Sequence, residues 1–300
     1  MLTDATRLFN HIEELCKCPR PAMSAELESA RQYVEQELTS SGWVLERQPF
    51  RAENDQQQTL DGINIVAHHP QLSSSIPPDP TEPLIIVGAH LDSRENTPGA
   101  DDNASAVAAL LEIARTLPTL LKDTELACHV ELVAFDLEEH GMLGGAWHAA
   151  IARQTNRNLR GMISLEMLGY CDSAPGSQKL PKQLEGLYPD TGDFIAIIGN
   201  QNSTSLISAW RKGMEEVAEL PVESLQVPDN GNPLQASRLS DHSPFWDEGF
   251  AALMITDTSF MRNPYYHLPT DTPETLDQEF LHKVAEGSLL AISQILKSGL

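Results

Sequence analysis

The sequence is poor in cysteine and in long hydrophobic runs. Its four cysteines, spread over 300 residues, are too few for the disulfide framework of a small secreted protein. Cys16 and Cys18 are spaced like a redox or metal-binding pair, but no second such pair exists, so we interpret them as incidental thiols. No apolar run approaches the roughly 20 residues that cross a membrane, and we therefore expect no membrane association.

Positive charge is also scarce. Acidic residues outnumber basic ones by 43 to 20, which gives a formal net charge of −23 at pH 7. This charge would repel a polyanion, so nucleic acid is excluded as a partner, whereas metal ions and peptide amino termini would be attracted. The N-terminal residues lack the basic and apolar regions of a signal peptide, and we expect a cytoplasmic location.

The pattern of apolar residues favours an α/β fold. No linker or break in composition divides the chain, so we predict a single domain over residues 1–300. Two amphipathic helices are predicted at the N-terminus, the second capped by Ser24 and ended by Gly42. Further helices are predicted over residues 143–150 and 205–217 and at the C-terminus. Strands are predicted over residues 43–50, 62–68, 84–87, 128–135, 162–165, 194–198, 222–227 and 251–255.

The most informative stretch is residues 83–115, which reads as a strand, a turn and a helix. The apolar strand 84–87 should be followed by His90 and Asp92, at the edge of an open α/β sheet where ligands bind. A loop with Pro and Gly then brings Asp101 and Asp102 to the predicted start of the helix. One βα unit thus brings a histidine and acids together.

Other predicted strands also end in acids or are followed by a histidine. Several buried carboxylates at one sheet edge would be very costly without cations or histidines beside them. Two divalent metal ions would supply the missing positive charge. The residues concerned are Asp136, Glu138 and Glu139 after strand 128–135, Glu166 after strand 162–165, and His267 after the last strand.

Six motifs, in chain order, closely resemble those of the co-catalytic dizinc aminopeptidases typified by secreted bacterial leucyl aminopeptidases. The resemblance runs from about Thr81 to Asp277. It implies the zinc-exopeptidase fold, in which a mixed, mostly parallel twisted sheet is flanked by helices on both faces. The motifs are GAHLDS, PGADDNAS, FDLEEHGMLGG, SLEMLGY, SDHSPF and NPYYHLPTDTPETLD.

The resemblance also implies a metal site. His90 and Glu166 would bind one zinc ion, Glu139 and His267 would bind the other, and Asp102 would bridge them. Asp102 occupies the bridging position of the family motif, four residues after its proline, which leaves Asp101 as a neighbour. Nitrogen and oxygen donors suit Zn²⁺, with Co²⁺ and Mn²⁺ as alternatives.

Three further residues match roles in the family. Asp92 corresponds to the acid that orients the imidazole, and Glu138 to the general base. Tyr266 matches a position where a hydroxyl steadies the oxyanion, and the alternative for it is a packed aromatic. Glu166 departs from the aspartate usual in the secreted enzymes. For Asp241 and His242 we expect helix capping and loop hydrogen bonds rather than ligation.

The function implied is that of a metal-dependent exopeptidase, an aminopeptidase that hydrolyses N-terminal residues from peptides with a free N-terminus, using a water activated by two zinc ions. The alternatives are a single-zinc glutaminyl cyclase, in which Trp tends to replace Tyr266, and a dizinc carboxypeptidase or deacylase. Dizinc carboxypeptidases and deacylases usually carry an inserted lid or dimerisation domain. The residues between Glu166 and His267 leave little room for such an insertion. A non-catalytic binding module usually shows degraded ligands. The oligomeric state is left open.

Overall fold

The computed structural model describes residues 1–76 and 78–300, and one mixed sheet organises these residues. None of the helices in the described ranges is both long and apolar enough to cross a membrane. The strands are β1 (Val44–Glu53), β2 (Thr59–His68), β3 (Leu84–His90), β4 (His129–Phe135), β5 (Leu159–Glu166), β6 (Ile195–Asn200), β7 (Val222–Val227) and β8 (Ala252–Thr256). The helices are α1 (Ala5–Leu15), α2 (Ala25–Ser40), α3 (Ala106–Leu120), α4 (Leu143–Gln154), α5 (Thr204–Met214), α6 (His242–Asp247) and α7 (Gln278–Ser298).

The strands are ordered β1-β2-β4-β3-β5-β8-β6-β7 across the sheet. The four central strands, β4, β3, β5 and β8, run parallel to one another. On one side of these strands, β2 is antiparallel to β4 and β1 is antiparallel to β2. On the other side, β6 is antiparallel to β8 and parallel to β7. The prediction of a mixed, mostly parallel sheet is confirmed. The carboxyl ends of the central strands therefore meet at one edge.

Helices cover both faces of the sheet, as predicted, and β3 shows why its sequence is apolar throughout. Ile85 and Val87 lie in the hydrophobic core formed with α1, α2, α3, α5 and α7. Leu84 and Ile86 lie in a second core, which contains residues of α4 and α6. Because successive side chains of a strand point to opposite faces, a strand buried on both faces has no polar side.

Two local predictions at the site need correction. His90 is the last residue of β3 and does not follow the strand, because pairing with β4 continues until His90 lies opposite Phe135. Helix α3 begins at Ala106, so Asp102 does not lie at its start. Asp102 and Asn103 have non-helical backbone angles within an irregular turn, Ala100–Ser105. The cap of α2 is confirmed, since Ser24 Oγ accepts a hydrogen bond from Leu27 N at 3.0 Å.

A buried polar cluster ties the sheet to α4. Glu131 of β4 is only 1% exposed and lies opposite His68 of β2. Its carboxylate bonds to His68 Nε2 at 2.6 Å and to His148 Nε2 at 2.8 Å. Arg157 donates two hydrogen bonds of 2.9 Å to the same carboxylate. His68 and His148 are thus buried residues that pair with Glu131 through their Nε2 atoms.

Replacing Glu131 by Gln should destabilise the fold. The substitution keeps the volume but leaves Arg157 without its buried counter-charge, and breaking such a pair costs about 3–5 kcal/mol. Urea denaturation followed by circular dichroism measures this loss. The control is Asp61→Asn, which breaks the exposed ion pair with Arg51 and should leave the unfolding midpoint unchanged. An equal, small effect of both substitutions would contradict the importance of the cluster.

The contribution of Glu131 should depend on pH. Burial alone would raise the pKa of its carboxyl, but hydrogen bonds from His148 and His68 and the charge of Arg157 hold that pKa well below its usual range. A carboxyl with a lower pKa in the folded state stabilises it above the unfolded pKa of about 4.3, and this stabilisation is lost as the pH falls further. The difference in unfolding free energy between wild type and Glu131→Gln should therefore be constant near neutral pH and shrink below about pH 4.3. Denaturation curves from pH 3 to pH 7 test this.

Candidate metal centre

The central strands bring the predicted acids and histidines to one edge of the sheet. His90 ends β3 and Glu166 ends β5, while Glu138 and Glu139 follow β4 in a short 3₁₀ turn. His267 follows β8 in a later loop. Because β4, β3 and β5 are adjacent and parallel, these side chains converge although they are far apart in the sequence.

Five of these side chains form two groups that share one residue. Ligand atoms of His90, Asp102 and Glu166 all lie within 4.8 Å of one another, as do those of Asp102, Glu139 and His267. Asp102 Oδ1 is 3.2 Å from His90 Nε2, and Asp102 Oδ2 is 3.1 Å from His267 Nε2. Each oxygen of Asp102 therefore faces a different group. These are the five residues for which the resemblance implies ligand roles.

The donor atoms of the two groups fit divalent metal ions. Nε2 of His90, Nε2 of His267 and Oε1 of Glu139 are buried and have no hydrogen-bond partner in the part of the chain that the structure describes. Buried polar atoms are normally paired, so three unpaired atoms in one place point to a missing partner. Imidazole nitrogens and carboxylate oxygens are donors that Zn²⁺ accepts.

The charges of the site also favour the binding of divalent metal ions. Burial raises the pKa of Glu166, and it raises that of Glu138 well above the usual range, with nearby carboxylates adding to the effect on Glu138. Burial lowers the pKa of His267, but Asp102 and Glu139 outweigh it and raise the pKa to about 9. The protein thus gathers more negative charge here than its own cations balance, which is the electrostatic condition for binding metal ions.

The turn that carries Asp102 is held from two sides by buried polar groups. Asp271 accepts hydrogen bonds from the backbone N–H groups of Asp101 and Asp102, at 2.9 and 3.2 Å. The Asn103 side chain donates to the carbonyl of Leu165 and accepts from Met167 N, which ties the turn to the end of β5. These bonds fix the backbone at Asp102, whose peptide bond to Asn103 is cis.

A buried arginine holds the beginning of the same loop. The Arg20 guanidinium donates to the carbonyls of Leu91, Pro98 and Gly99 at 2.6 to 3.1 Å. It also bonds to the carbonyl of Leu15 near the end of α1. Arg20 is 2% exposed. It therefore crosslinks α1 to the loop between His90 and Asp102 entirely through backbone acceptors.

Asp92 contacts His90 through its backbone and the turn after β4 through its side chain. His90 Nδ1 is 3.1 Å from the backbone carbonyl of Asp92 and 3.7 Å from its carboxylate. The carboxylate itself accepts hydrogen bonds from Glu138 N at 3.1 Å and Glu139 N at 3.2 Å. Its carbonyl thus faces the imidazole while its side chain fixes the turn after β4. That Asp92 orients His90 during function stays a prediction.

The two adjacent glutamates face different partners. Glu139 Oε2 lies 3.3 Å from His267 Nε2, within the second group. Glu138 belongs to neither group, and its Oε2 lies 3.9 Å from His90 Nε2. Leu137 starts the turn with a left-handed backbone, φ 58°, which redirects the chain as it leaves β4. Glu138 is therefore beside the proposed ligands and free to act on another atom.

Tyr266 stacks on the second histidine. Its ring lies 3.7 Å from that of His267, and Phe260 packs beside it. Burial raises the pKa of the Tyr266 hydroxyl, and the nearby carboxylates add to the rise, so the group keeps its proton. This contact agrees with a packed aromatic and leaves the proposed oxyanion role as a prediction.

The SDHSPF motif behaves only in part as expected. His242 makes a loop hydrogen bond to the Ser237 carbonyl at 2.8 Å. The capping role of Asp241 is wrong, because its side chain makes no cap bond to α6. Asp241 is instead fully buried and faces Gly145, where a Cβ atom would lie 2.5 Å from Asp241 Oδ1. Burial raises the pKa of this carboxyl well above its usual range.

Several residues at the site escaped the sequence analysis. Ser240 Oγ donates to Glu166 Oε2 at 2.8 Å and so orients one proposed ligand. Arg94 Nε donates to Glu139 Oε2 at 2.7 Å and contacts the other. Arg94 is an ordinary polar residue of a loop, and Ser240 begins the SDHSPF motif, but the local sequence of neither residue indicates which carboxylate it contacts. Arg20 could more readily have been identified from the sequence, because it is a cation within the short CPRPAMS segment between two helices.

An apolar pocket of about 340 Å³ opens beside the two groups. Acids of the two groups line one end of it, and most of its apolar residues come from the loop before β6, from β6, β7 and β8, and from the loop after β8. The acids at this end are Asp102, Glu138, Glu139 and Glu166, and Asp55 and Glu223 also line the pocket. Apolar residues of the wall include Leu184, Phe194, Ile198, Leu225, Met254 and Phe260. The pocket can therefore hold an apolar group next to the acids.

Comparison with curated proteins gives relatives with partial coverage. The chain is 41% identical over 219 residues to the uncharacterized protein YfbL of Escherichia coli (strain K12), an alignment that covers 68% of this chain and 65% of YfbL. It is 27% identical over 218 residues to aminopeptidase YwaD of Bacillus subtilis (strain 168), covering 71% of this chain and 41% of YwaD. The chain thus spans less than two thirds of the length of each.

Solved structures share the fold over nearly the whole chain. An aminopeptidase from Aneurinibacillus sp. strain AM-1 superposes with a TM-score of 0.73 at 18% identity, covering 99% of this chain and 95% of the other. A glutaminyl cyclase from Porphyromonas gingivalis gives a TM-score of 0.70 at 19% identity, covering 97% of this chain and 98% of the other. At such identities the similarity shows the fold alone.

The family itself follows from the sequence match. The model of peptidase family M28 matches residues 64–292, which is well over half of the chain and includes all five residues of the two groups. The resemblance to zinc aminopeptidases predicted from the six motifs is thereby confirmed at the level of the family: the chain belongs to peptidase family M28.

Proposed function

We propose that the protein is a metal-dependent aminopeptidase that uses two zinc ions to hydrolyse the first peptide bond of its substrates. The observation that carries this proposal is the pair of ligand groups that share Asp102, with Glu138 beside them. Membership of a peptidase family supports hydrolysis of peptides. The zinc aminopeptidase of Bacillus subtilis, which has the same fold with a TM-score of 0.74, supports zinc as the metal.

The proposed ligands divide between the two ions as the groups do. His90 and Glu166 would hold one ion, Glu139 and His267 would hold the other, and Asp102 would take part in both sites. When bound, the ions would polarise the scissile carbonyl and lower the pKa of water. Glu166 supplies a carboxylate oxygen as an aspartate would, and its hydrogen bond from Ser240 fixes the longer side chain.

Glu138 is the proposed proton carrier. Its carboxylate lies beside both groups without belonging to either, and burial together with neighbouring carboxylates raises its pKa. A carboxylate with raised proton affinity takes the proton of the attacking water and then gives it to the leaving amine. Tyr266, which keeps its proton, can donate to the oxyanion from its position against His267.

The apolar pocket suits the side chain of the N-terminal residue. Its acid-rich end favours a cationic amine, and its walls remove apolar surface from water at about 25 cal/mol per Å². This combination supports a substrate with a free amino terminus and an apolar first side chain.

Replacing Glu138 by Gln should abolish turnover while leaving the metal bound. Loss of general base catalysis lowers kcat by roughly 10²- to 10⁴-fold. Hydrolysis of leucine p-nitroanilide by zinc-loaded protein measures the effect, with Glu46→Gln on the exposed surface of β1 as the control. If Glu138→Gln kept both its zinc and its wild-type turnover, the assigned mechanism would be wrong.

The number of ions can be tested without any assay of activity. Elemental analysis of the dialysed wild type should find two zinc ions per chain. Glu166→Gln and Glu139→Gln should each lose one ion, whereas Asp102→Asn should weaken both sites because its two oxygens face different groups. Wild type with a single zinc that forms pyroglutamate from N-terminal Gln would instead support a glutaminyl cyclase.

A further inference from the structure

Arg94 lies where the apolar pocket meets a second, polar cleft. The cleft measures about 700 Å³, and four residues line both cavities: Asp55, Arg94, Glu139 and Gly141. Polar residues of the cleft include Asn54, Gln56, Gln58, Glu95 and His140. Within the described ranges, Arg94 is the only lysine or arginine that lines either cavity. A ligand that extends from the pocket into the cleft therefore passes one fixed cation.

Most of the hydrogen-bonding capacity of Arg94 is unused. Its side chain is 51% exposed, and Nε donates to Glu139 Oε2 at 2.7 Å. The two terminal nitrogens make no hydrogen bond to any residue that the structure describes. A guanidinium has five N–H donors, and its end can bind a carboxylate through two parallel bonds. Arg94 is thus oriented by one carboxylate and able to bind another.

The position of Arg94 sets which carboxylate it can reach. Glu139 Oε2 contacts both Arg94 Nε and His267 Nε2, so Arg94 is one carboxylate away from a group that we assign to the metal centre. An extended chain advances about 3.3–3.6 Å per residue. This step is comparable to the span of the one carboxylate between Arg94 and the His267 group, so a peptide with its first side chain in the apolar pocket and its scissile bond at the metal centre can bring its second residue to Arg94.

We propose that Arg94 binds the C-terminal carboxylate of dipeptides and makes them the preferred substrates. This inference rests on the proposed function and narrows it. The other charged groups that line the cleft are the acids Asp55, Glu95 and Glu139, which together with the net charge of −23 would repel a substrate carboxylate. Arg94 is the one lysine or arginine among the described residues that line either cavity, so along the cleft it is the side chain that favours a terminal carboxylate.

The test compares Leu-Gly with its C-terminal amide, Leu-Gly-NH₂. A charge-assisted pair makes kcat/KM for the acid exceed that for the amide by roughly 10- to 100-fold, mainly through KM. Arg94→Ala should bring this ratio to about one, and Arg94→Lys should restore part of it. Arg51→Ala, which removes an exposed arginine that lines neither cavity, is the matched control and should keep the wild-type ratio.

Binding supplies a second readout that is independent of turnover. In zinc-loaded Glu138→Gln protein, isothermal titration calorimetry should show tighter binding of Leu-Gly than of its amide, and adding Arg94→Ala should remove the difference. Equal affinity for acid and amide, or an equal loss of both with Arg94→Ala, would overturn the role of Arg94 and leave the aminopeptidase intact. Preserved selective binding with no hydrolysis of either peptide by the wild type would overturn the proposed function instead.

Discussion

The structure of the site depends on the shared carboxylate of Asp102. One oxygen faces the His90 group and the other faces the His267 group, so neither group is complete without the same residue. Carboxylates this close repel one another, and bound cations would offset that repulsion. The relative position of the two groups therefore depends on the turn Ala100–Ser105, which carries Asp102.

That turn is held by groups that never reach the metal centre. Arg20 fixes the backbone before it, Asp271 accepts its N–H groups, and Asn103 ties it to the end of β5. Each of these contacts is buried and joins one side chain to backbone atoms, so it fixes the path of the chain at this turn. Precision at the site is therefore a property of the surrounding loops as well as of the proposed ligands.

Much of this arrangement could be predicted from the sequence, because parallel strands end at a common edge. The apolar run of β3, the acids after β4 and Glu166 at the end of β5 all follow from that rule together with the motifs. Contacts such as Ser240 with Glu166 or Arg94 with Glu139 could not be predicted, since they join side chains far apart in the chain. The error at Asp241 has the same cause: a local capping pattern was overruled by burial against Gly145.

The pocket described beside the metal centre takes most of its apolar wall from residues after 178, whereas four of the five proposed ligands lie between His90 and Glu166. The proposed ligands and the apolar wall thus lie in largely separate stretches of the chain. Substitutions in the wall, for instance at Leu225 or Met254, can change the size and shape of the cavity without altering the hydrogen bonds that hold Asp102. Such a division allows one scaffold to diversify its substrates by sequence drift while the reactive edge stays constant.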